Sequence, residues 1–66
     1  MRIHLNGKAT DLPAASTVAC LLSQQGLAER RVAVEINGAI VPRSAHATQQ
    51  LQDDDRVEIV HALGGG

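Results

Sequence analysis

The sequence contains no Phe, Tyr or Trp, and only one Cys is present among its 66 residues. Proteins that hold single-stranded nucleic acid usually stack its bases on aromatic rings, and a formal net charge of −1 supplies no basic surface for phosphates. A single Cys also excludes an internal disulfide. These absences predict a domain that does not bind nucleic acid and that depends on aliphatic side chains for its core.

Long hydrophobic runs and targeting signals are absent as well. The longest apolar runs have only a few residues, far fewer than the ~20 that a membrane-spanning helix needs. Residues 1–20 lack the basic start and the continuous apolar segment of a secretory signal peptide. We therefore expect a cytoplasmic protein with no membrane partner.

Aliphatic residues are plentiful, with seven Leu, four Ile and six Val. A chain of this length forms one domain and buries only about 60% of the surface that its unfolded form exposes. No spacing of Cys and His suits a metal ion, so we expect no metal site. We interpret His4, His46 and His61 as surface or strand residues.

The first predicted element is a β-hairpin. Ile3 and Leu5 alternate with polar residues, which is typical of a half-buried strand. Asn6-Gly7 follows, and this pair favours a type I′ turn because both of its residues tolerate positive φ. The second strand is predicted over residues 8–12.

A short helix comes next. Ser16 and Thr17 are both competent N-caps, of which we favour Thr17, and Gly26 suits the position just after the helix. The apolar stripe of this helix consists of Val18, Leu21 and Leu22. A helix of about two turns is unstable alone, so it must pack against a sheet.

Cys20 lies on this helix. No basic residue nearby in the sequence lowers the pKa of its thiol, so we interpret it as a small, partly buried helix residue. The alternative is a thiol that handles sulfur.

A second hairpin is predicted from residue 32 onward. Apolar residues alternate over residues 32–36, and Asn37-Gly38 repeats the turn signal. Residues 40–41 form a short strand, which Pro42 ends or places at a sheet edge.

The remaining residues complete an α+β fold. Residues 43–50 are a polar, weakly helical connection, and residues 53–55 form an acidic turn that is mostly solvated. The last strand is predicted over residues 56–63, with Val57 and Ile59 facing the core. We expect this strand to return to the middle of a mixed sheet, beside the first, with the helix on one face.

Several segments resemble the ThiS family of sulfur carrier proteins of thiamin biosynthesis. These segments are the opening hairpin, TVACLL (17–22), VEINGAIVPR (34–43) and QDDDRVEIVHALGGG (52–66). The most specific pieces are INGAIVPR and the final Gly-Gly. The resemblance implies a ubiquitin-like β-grasp fold over residues 1–63, followed by a flexible glycine tail over residues 64–66. Two departures are Asp54, where the family often has glycine, and a third tail glycine, Gly64. The first suggests a left-handed conformation at Asp54.

The same resemblance implies a carrier rather than an enzyme, with no bound cofactor. A ThiF-like adenylyltransferase would use ATP to adenylate the carboxylate of Gly66, and Gly65 and Gly64 would thread its active site. A cysteine desulfurase system would supply sulfur through a persulfide, giving a thiocarboxylate. A ThiG-like thiazole synthase would then take the sulfur.

Partner proteins are expected to bind beside this tail. Val60 and Ala62 point away from the core face of the last strand, and Leu63 lies at its end, so we expect all three to contact partners. The alternative is that these residues, Val60 foremost, pack under the connection over residues 43–50. The acidic turn is a second candidate contact, for a basic patch on the activating enzyme.

Three other functions remain open. A MoaD-like subunit of molybdopterin synthase shares the fold, the tail and the activation chemistry. A ubiquitin-like modifier would be joined through its tail to lysines. The third is an interaction module with an inert tail.

Overall fold

A computed structural model of the chain describes residues 1–61, and these residues form five strands and one α-helix. The elements in chain order are β1 (Arg2–Leu5), β2 (Lys8–Asp11), α1 (Val18–Gln24), β3 (Val32–Ile36), β4 (Ala39–Val41), a 3-10 helix (Arg43–Ala45) and β5 (Arg56–His61). The predicted order of elements is confirmed. Within residues 1–61, no helix has the length and apolar character needed to cross a membrane.

The five strands form one mixed sheet in the order β2-β1-β5-β3-β4. The last strand lies in the middle, where it runs parallel to β1 and antiparallel to β3. Both hairpins, β1 with β2 and β3 with β4, are antiparallel. The predicted return of the last strand to a place beside the first is therefore confirmed.

The core lies between one face of the sheet and α1. Its buried aliphatic side chains are Ile3, Leu5, Leu12, Val18, Leu21, Leu22, Val34, Val41, Leu51, Val57 and Ile59. The residues predicted for the core faces of the first and last strands, and for the helix stripe, all belong to this set. Leu51 is a core residue that was not predicted, because the sequence around it has no periodic pattern that marks it as buried.

Both Asn-Gly pairs adopt the turn that the sequence predicts. Asn6 and Gly7 have φ of 50° and 82°, and Asn37 and Gly38 have φ of 52° and 87°. Two consecutive positive φ angles are the signature of a type I′ turn, whose twist matches that of the strands it joins. The turns therefore fix the register of the two hairpins.

The helix α1 is capped at both ends as predicted. The Oγ1 atom of Thr17 accepts a hydrogen bond from the backbone N–H of Cys20 at 3.2 Å. Gly26 follows the helix with φ of 74° and donates to the carbonyl of Ser23, while Leu27 donates to the carbonyl of Leu22. This pair of bonds is a Schellman motif, which satisfies carbonyls at the end of the helix.

The connection after β4 supplies hydrogen-bond acceptors to the N-terminal end of α1. The N–H of Val18 donates to the carbonyl of Gln49 at 2.9 Å, and the N–H of Ala19 donates to the carbonyl of His46 at 2.8 Å. These donors belong to the first turn, where a helix has no internal acceptors. The connection therefore holds the start of α1 as well as crossing the end of the sheet.

Some details differ from the sequence prediction, and one is that β4 starts at Ala39 rather than at residue 40. Strand β2 ends at Asp11 rather than at residue 12, although the N–H of Leu12 still donates to the carbonyl of Met1. Cys20 is exposed rather than partly buried. It lies two residues after Val18, and residues at that spacing point to different sides of a helix.

The acidic turn is built by its own carboxylates. Asp53 accepts a hydrogen bond from the N–H of Arg2, and Asp55 accepts from Gln52 N–H. Asp54 has φ of 69°, which confirms the left-handed conformation expected there. The turn is therefore less purely solvated than predicted, since two of its three carboxylates bind the domain itself.

Candidate functional site

The predicted reactive tail lies outside the described residues. The residues predicted to form the tail or to contact partners beside it follow the last described residue, His61. They are Ala62, Leu63, Gly64, Gly65 and Gly66. What the structure describes is the strand that leads to them. Because β5 is the central strand, the chain approaches its predicted reactive end from the middle of the sheet.

Strand β5 is held differently on its two sides. On the β3 side, pairing continues to its last residue, where His61 lies opposite Val32. On the β1 side, strand pairing ends where Val57 lies opposite Leu5. Beyond that point, the side-chain amide of Asn6 makes two hydrogen bonds with the backbone of Ile59. Sequence reasoning treated Asn6 only as a turn residue and missed this contact.

The face of the sheet that α1 does not cover carries the predicted contact residue Val60. Its side chain is 59% exposed, so the alternative that Val60 packs under the connection over residues 43–50 is wrong. That connection lies against the start of α1 instead. Ala33 is the cross-strand partner of Val60, and Ile40 on β4 is 64% exposed. We call Val60, Ala33 and Ile40 the apolar patch.

Two carboxylates lie beside the apolar patch. Glu35 and Glu58 are direct cross-strand partners, and Glu35 is also the partner of Ile40. Neither carboxylate forms an ion pair within residues 1–61. Like charges directly opposite each other in a sheet are destabilising. The uncovered face therefore combines exposed apolar surface with a pair of adjacent carboxylates.

The acidic turn lies far from this patch. It precedes Arg56, at the opposite end of β5 from His61, and a strand of six residues is roughly 20 Å long. The side chain of Asp54 is 89% exposed, and its carboxylate lies 4.0 Å from His4 Nε2. A contact with a basic patch on an activating enzyme stays a prediction for this turn.

The thiol of Cys20 lies in a shallow apolar depression between α1 and the loop that precedes it. The hydroxyl of Thr17 donates a hydrogen bond to Cys20 Sγ at 3.3 Å. This bond lowers the pKa of the Cys20 thiol below its ordinary value, and the backbone of Thr17 contributes in the same direction. This shift was not predicted from the sequence, because its cause is the hydroxyl of Thr17 rather than a basic residue.

The histidines are dispersed in the fold. His46 Nε2 lies 3.3 Å from the carbonyl oxygen of Val41, and His61 is exposed at the end of β5. Within the described part of the chain, no group of three or more His, Cys, Asp or Glu side chains is placed to hold a metal ion. The described residues therefore present an exposed apolar patch and a strand that leads toward the predicted tail.

A mixed five-stranded sheet with one helix across it, and with the C-terminal strand at its centre, defines the ubiquitin-like β-grasp class. The crystal structure of the thiamine biosynthesis protein ThiS from Geobacter metallireducens matches this fold with a TM-score of 0.83 and 35% sequence identity, and the match covers 100% of both chains. The family model of the ThiS family matches residues 3–66. The chain belongs to the ThiS family.

Sequence relatives include two bacterial thiazole synthases. That of Magnetococcus marinus is 46% identical over 66 residues, and that of Paramagnetospirillum magneticum is 42% identical over the same length. Each match covers 100% of this chain and 20% of the relative. The chain therefore spans about a fifth of the length of these relatives.

Proposed function

We propose that this chain is a sulfur carrier protein of thiamin biosynthesis, which presents the carboxylate of Gly66 for activation and catalyses no reaction itself. The observation that carries the proposal is the family match, which runs from residue 3 to the last glycine. It covers both the described β-grasp domain and the tail. The central position of β5 supports the same reading, because the strand that leads to the tail is paired on both of its sides.

The chemistry begins with a carboxylate that is ionised at neutral pH, since the pKa of a chain terminus is about 3.3–3.7. An anionic carboxylate resists attack by nucleophiles. Transfer of AMP from ATP releases pyrophosphate and forms an acyl adenylate at Gly66, whose carbonyl carbon is open to attack. A sulfur atom that comes from cysteine through a persulfide displaces AMP. This displacement forms an acyl disulfide with the donor. A second thiol then attacks the donor's sulfur, so that a disulfide forms between the two thiols and the thiocarboxylate is released.

Three glycines suit a chain that enters the ATP site of another protein. Glycine lacks Cβ, so its backbone passes through narrow channels and adopts φ and ψ values that other residues avoid. The partners in this proposal are a ThiF-like adenylyltransferase, a cysteine desulfurase system and a ThiG-like thiazole synthase. The synthase receives separate support, because two relatives named thiazole synthase contain a segment similar to this entire chain.

The apolar patch is our proposed contact surface for the activating enzyme. Val60 lies six residues before Gly66 on the strand that leads to the tail, so an enzyme that holds the tail also approaches this face of the sheet. The carboxylates of Glu35 and Glu58 favour basic residues on the facing surface, because a cation there would relieve their mutual repulsion. Leu63 and Ala62 extend the proposed contact toward the tail.

Activation assays on tail variants test the proposal. We expect Gly66→Ala to abolish ATP–pyrophosphate exchange by the ThiF-like enzyme of the same genome, because a Cβ at the reacting residue blocks its approach to ATP. Gly64→Ala is the matched comparison and is expected to retain more of the exchange than Gly66→Ala, since residue 64 lies two residues from the reacting carbonyl. Circular dichroism should be unchanged in both variants. Near-normal exchange with Gly66→Ala would contradict the steric argument.

Growth of a deletion strain tests which pathway the carrier serves. We expect the strain to require thiazole, because the sulfur of the thiazole ring is the proposed product of this carrier. Loss of molybdenum cofactor activity without a thiazole requirement would indicate a MoaD-like protein instead. Ladders of isopeptide-linked conjugates in cell extracts would indicate a ubiquitin-like modifier.

A further inference from the structure

The side chain of Asn6 reaches from the first turn to the strand that leads to the tail. Its Oδ1 atom accepts a hydrogen bond from the N–H of Ile59 at 2.9 Å, and its Nδ2 donates to the carbonyl of Ile59 at 3.3 Å. One primary amide therefore satisfies both backbone polar groups of a single residue. The contact joins residues that are 53 positions apart in the sequence.

These two bonds continue the pairing of β1 with β5 after β1 has ended. The backbone N–H groups of His4 and Asn6 donate to the carbonyls of Asp55 and Val57, both at 2.9 Å. Alternate residues of β5 thus direct their polar groups toward β1, and Ile59 is the next in this series. The amide of Asn6 occupies the place where another residue of β1 would pair.

We infer that Asn6 is a positioning residue for the end of β5, and that its amide fixes the β1 side of this strand at Ile59, two residues before His61. Among residues 1–61, the Asn6 amide makes the last hydrogen bonds to the backbone of β5 on its β1 side. The consequence for activation rests on the proposed function, because a poorly fixed strand end would present Gly66 to the activating enzyme in a smaller fraction of molecules.

The second Asn-Gly turn provides an internal control. Asn37 Oδ1 accepts a hydrogen bond from the N–H of Arg56 at 2.9 Å, and its Nδ2 donates to Asp55 Oδ1 at 3.0 Å. Asn37 therefore holds the start of β5 through the same kind of side chain in the same kind of turn. It differs from Asn6 in lying at the end of β5 that is remote from the tail.

The test compares Asn6→Gly with Asn37→Gly. Glycine keeps the positive φ that each turn requires, so both variants retain their hairpins while losing the side-chain bonds. Hydrogen exchange measured by NMR should be about tenfold faster at the Ile59 amide in Asn6→Gly than in Asn37→Gly, because a local attachment is lost. In ATP–pyrophosphate exchange with the ThiF-like enzyme, Asn6→Gly should raise KM about fivefold with kcat nearly unchanged, and Asn37→Gly should change neither.

A third variant distinguishes the effect of the Asn6 amide from the effect of the turn. Asn6→Asp keeps an oxygen for the N–H of Ile59 but places a second acceptor against its carbonyl, so its Ile59 amide should exchange faster than in the wild type. Equal Ile59 exchange in the two glycine variants would overturn the inference, as would equal KM values. If the wild-type chain is not activated at all, the proposed function fails, while Ile59 exchange still decides whether Asn6 fixes the strand.

Discussion

Thr17 and Cys20 share two hydrogen bonds at the start of α1. The hydroxyl of Thr17 accepts from the backbone N–H of Cys20 and donates to its sulfur, which a hydroxyl is able to do at once. The first bond caps the helix, and the second favours the thiolate. The same hydroxyl therefore affects both the free energy of unfolding and the pKa of an exposed thiol.

Thr17→Ala should remove both the helix cap and the hydrogen bond to the thiol. We expect the free energy of unfolding to fall by about 1 kcal/mol through loss of the N-cap. The pKa of Cys20 should rise toward its ordinary value, so that the alkylation rate with iodoacetamide reaches its midpoint at a higher pH. Thr17→Ser keeps the hydroxyl and should behave like the wild type. An unchanged alkylation profile in Thr17→Ala would refute the role of this bond.

The pH dependence of stability follows from the direction of this shift. The pKa of the Cys20 thiol is lower in the folded protein than in the unfolded chain, so its contribution is present above the unfolded pKa. It is lost as the pH falls through the folded pKa. Because Cys20 is exposed, we expect only a small effect, measured as the difference between wild type and Cys20→Ser in denaturant titrations at several pH values.

At the scale of elements, α1 illustrates how much the sequence reveals. Its seven residues are too few for independent stability, and the sequence predicted its cap, its apolar stripe and its terminal glycine. The acceptors for Val18 and Ala19 were not predictable, because they are backbone carbonyls of a connection about 30 residues away. Carbonyls are common to all residue types and leave no signal in a sequence.

The loop before α1 contains a further feature that the sequence did not indicate. Ala15 has φ of 64°, a left-handed conformation that is unfavourable for alanine. Ser16, buried next to it, donates its hydroxyl to the carbonyl of Pro13 at 2.7 Å. The closed loop therefore holds Ala15 in a conformation that glycine would adopt more readily.

Ala15→Gly should raise the free energy of unfolding by roughly 0.5 kcal/mol, since relief of the left-handed conformation exceeds the added entropy of the unfolded chain. Ala14→Gly is the matched control. It should lower the free energy of unfolding, because Ala14 has no positive φ to relieve. Urea denaturation of the two variants measures the difference, and a loss of stability in both would contradict the assignment of strain to Ala15.

At the scale of the whole molecule, the central strand connects fold to function. The order of the elements predicted that the last strand returns beside the first. The two asparagine side chains that hold β5 were not predicted, because an Asn-Gly pair is fully explained by its turn. Only the fold brings Asn6 next to Ile59.

The uncovered face of the sheet provides a prediction for partner binding. Val60→Asp should weaken binding to the ThiF-like enzyme at least about tenfold, because it replaces an apolar contact with a carboxylate that loses its hydration when the interface forms. Its fold should persist, since Val60 is already 59% exposed. Ala9→Asp, on exposed β2 at the far edge of the sheet, is the control. Equal binding by both variants in isothermal titration calorimetry would exclude the apolar patch as the interface.

The central claim is that the carboxylate of Gly66 carries sulfur. Intact-mass spectrometry of the protein isolated from its native host tests it most directly. We predict a species in which Gly66 is the final residue and one carboxyl oxygen is replaced by sulfur, and we predict that this species disappears in a strain without the ThiF-like enzyme. A terminal carboxylate that never carries sulfur, in cells that are making thiamin, would contradict the claim.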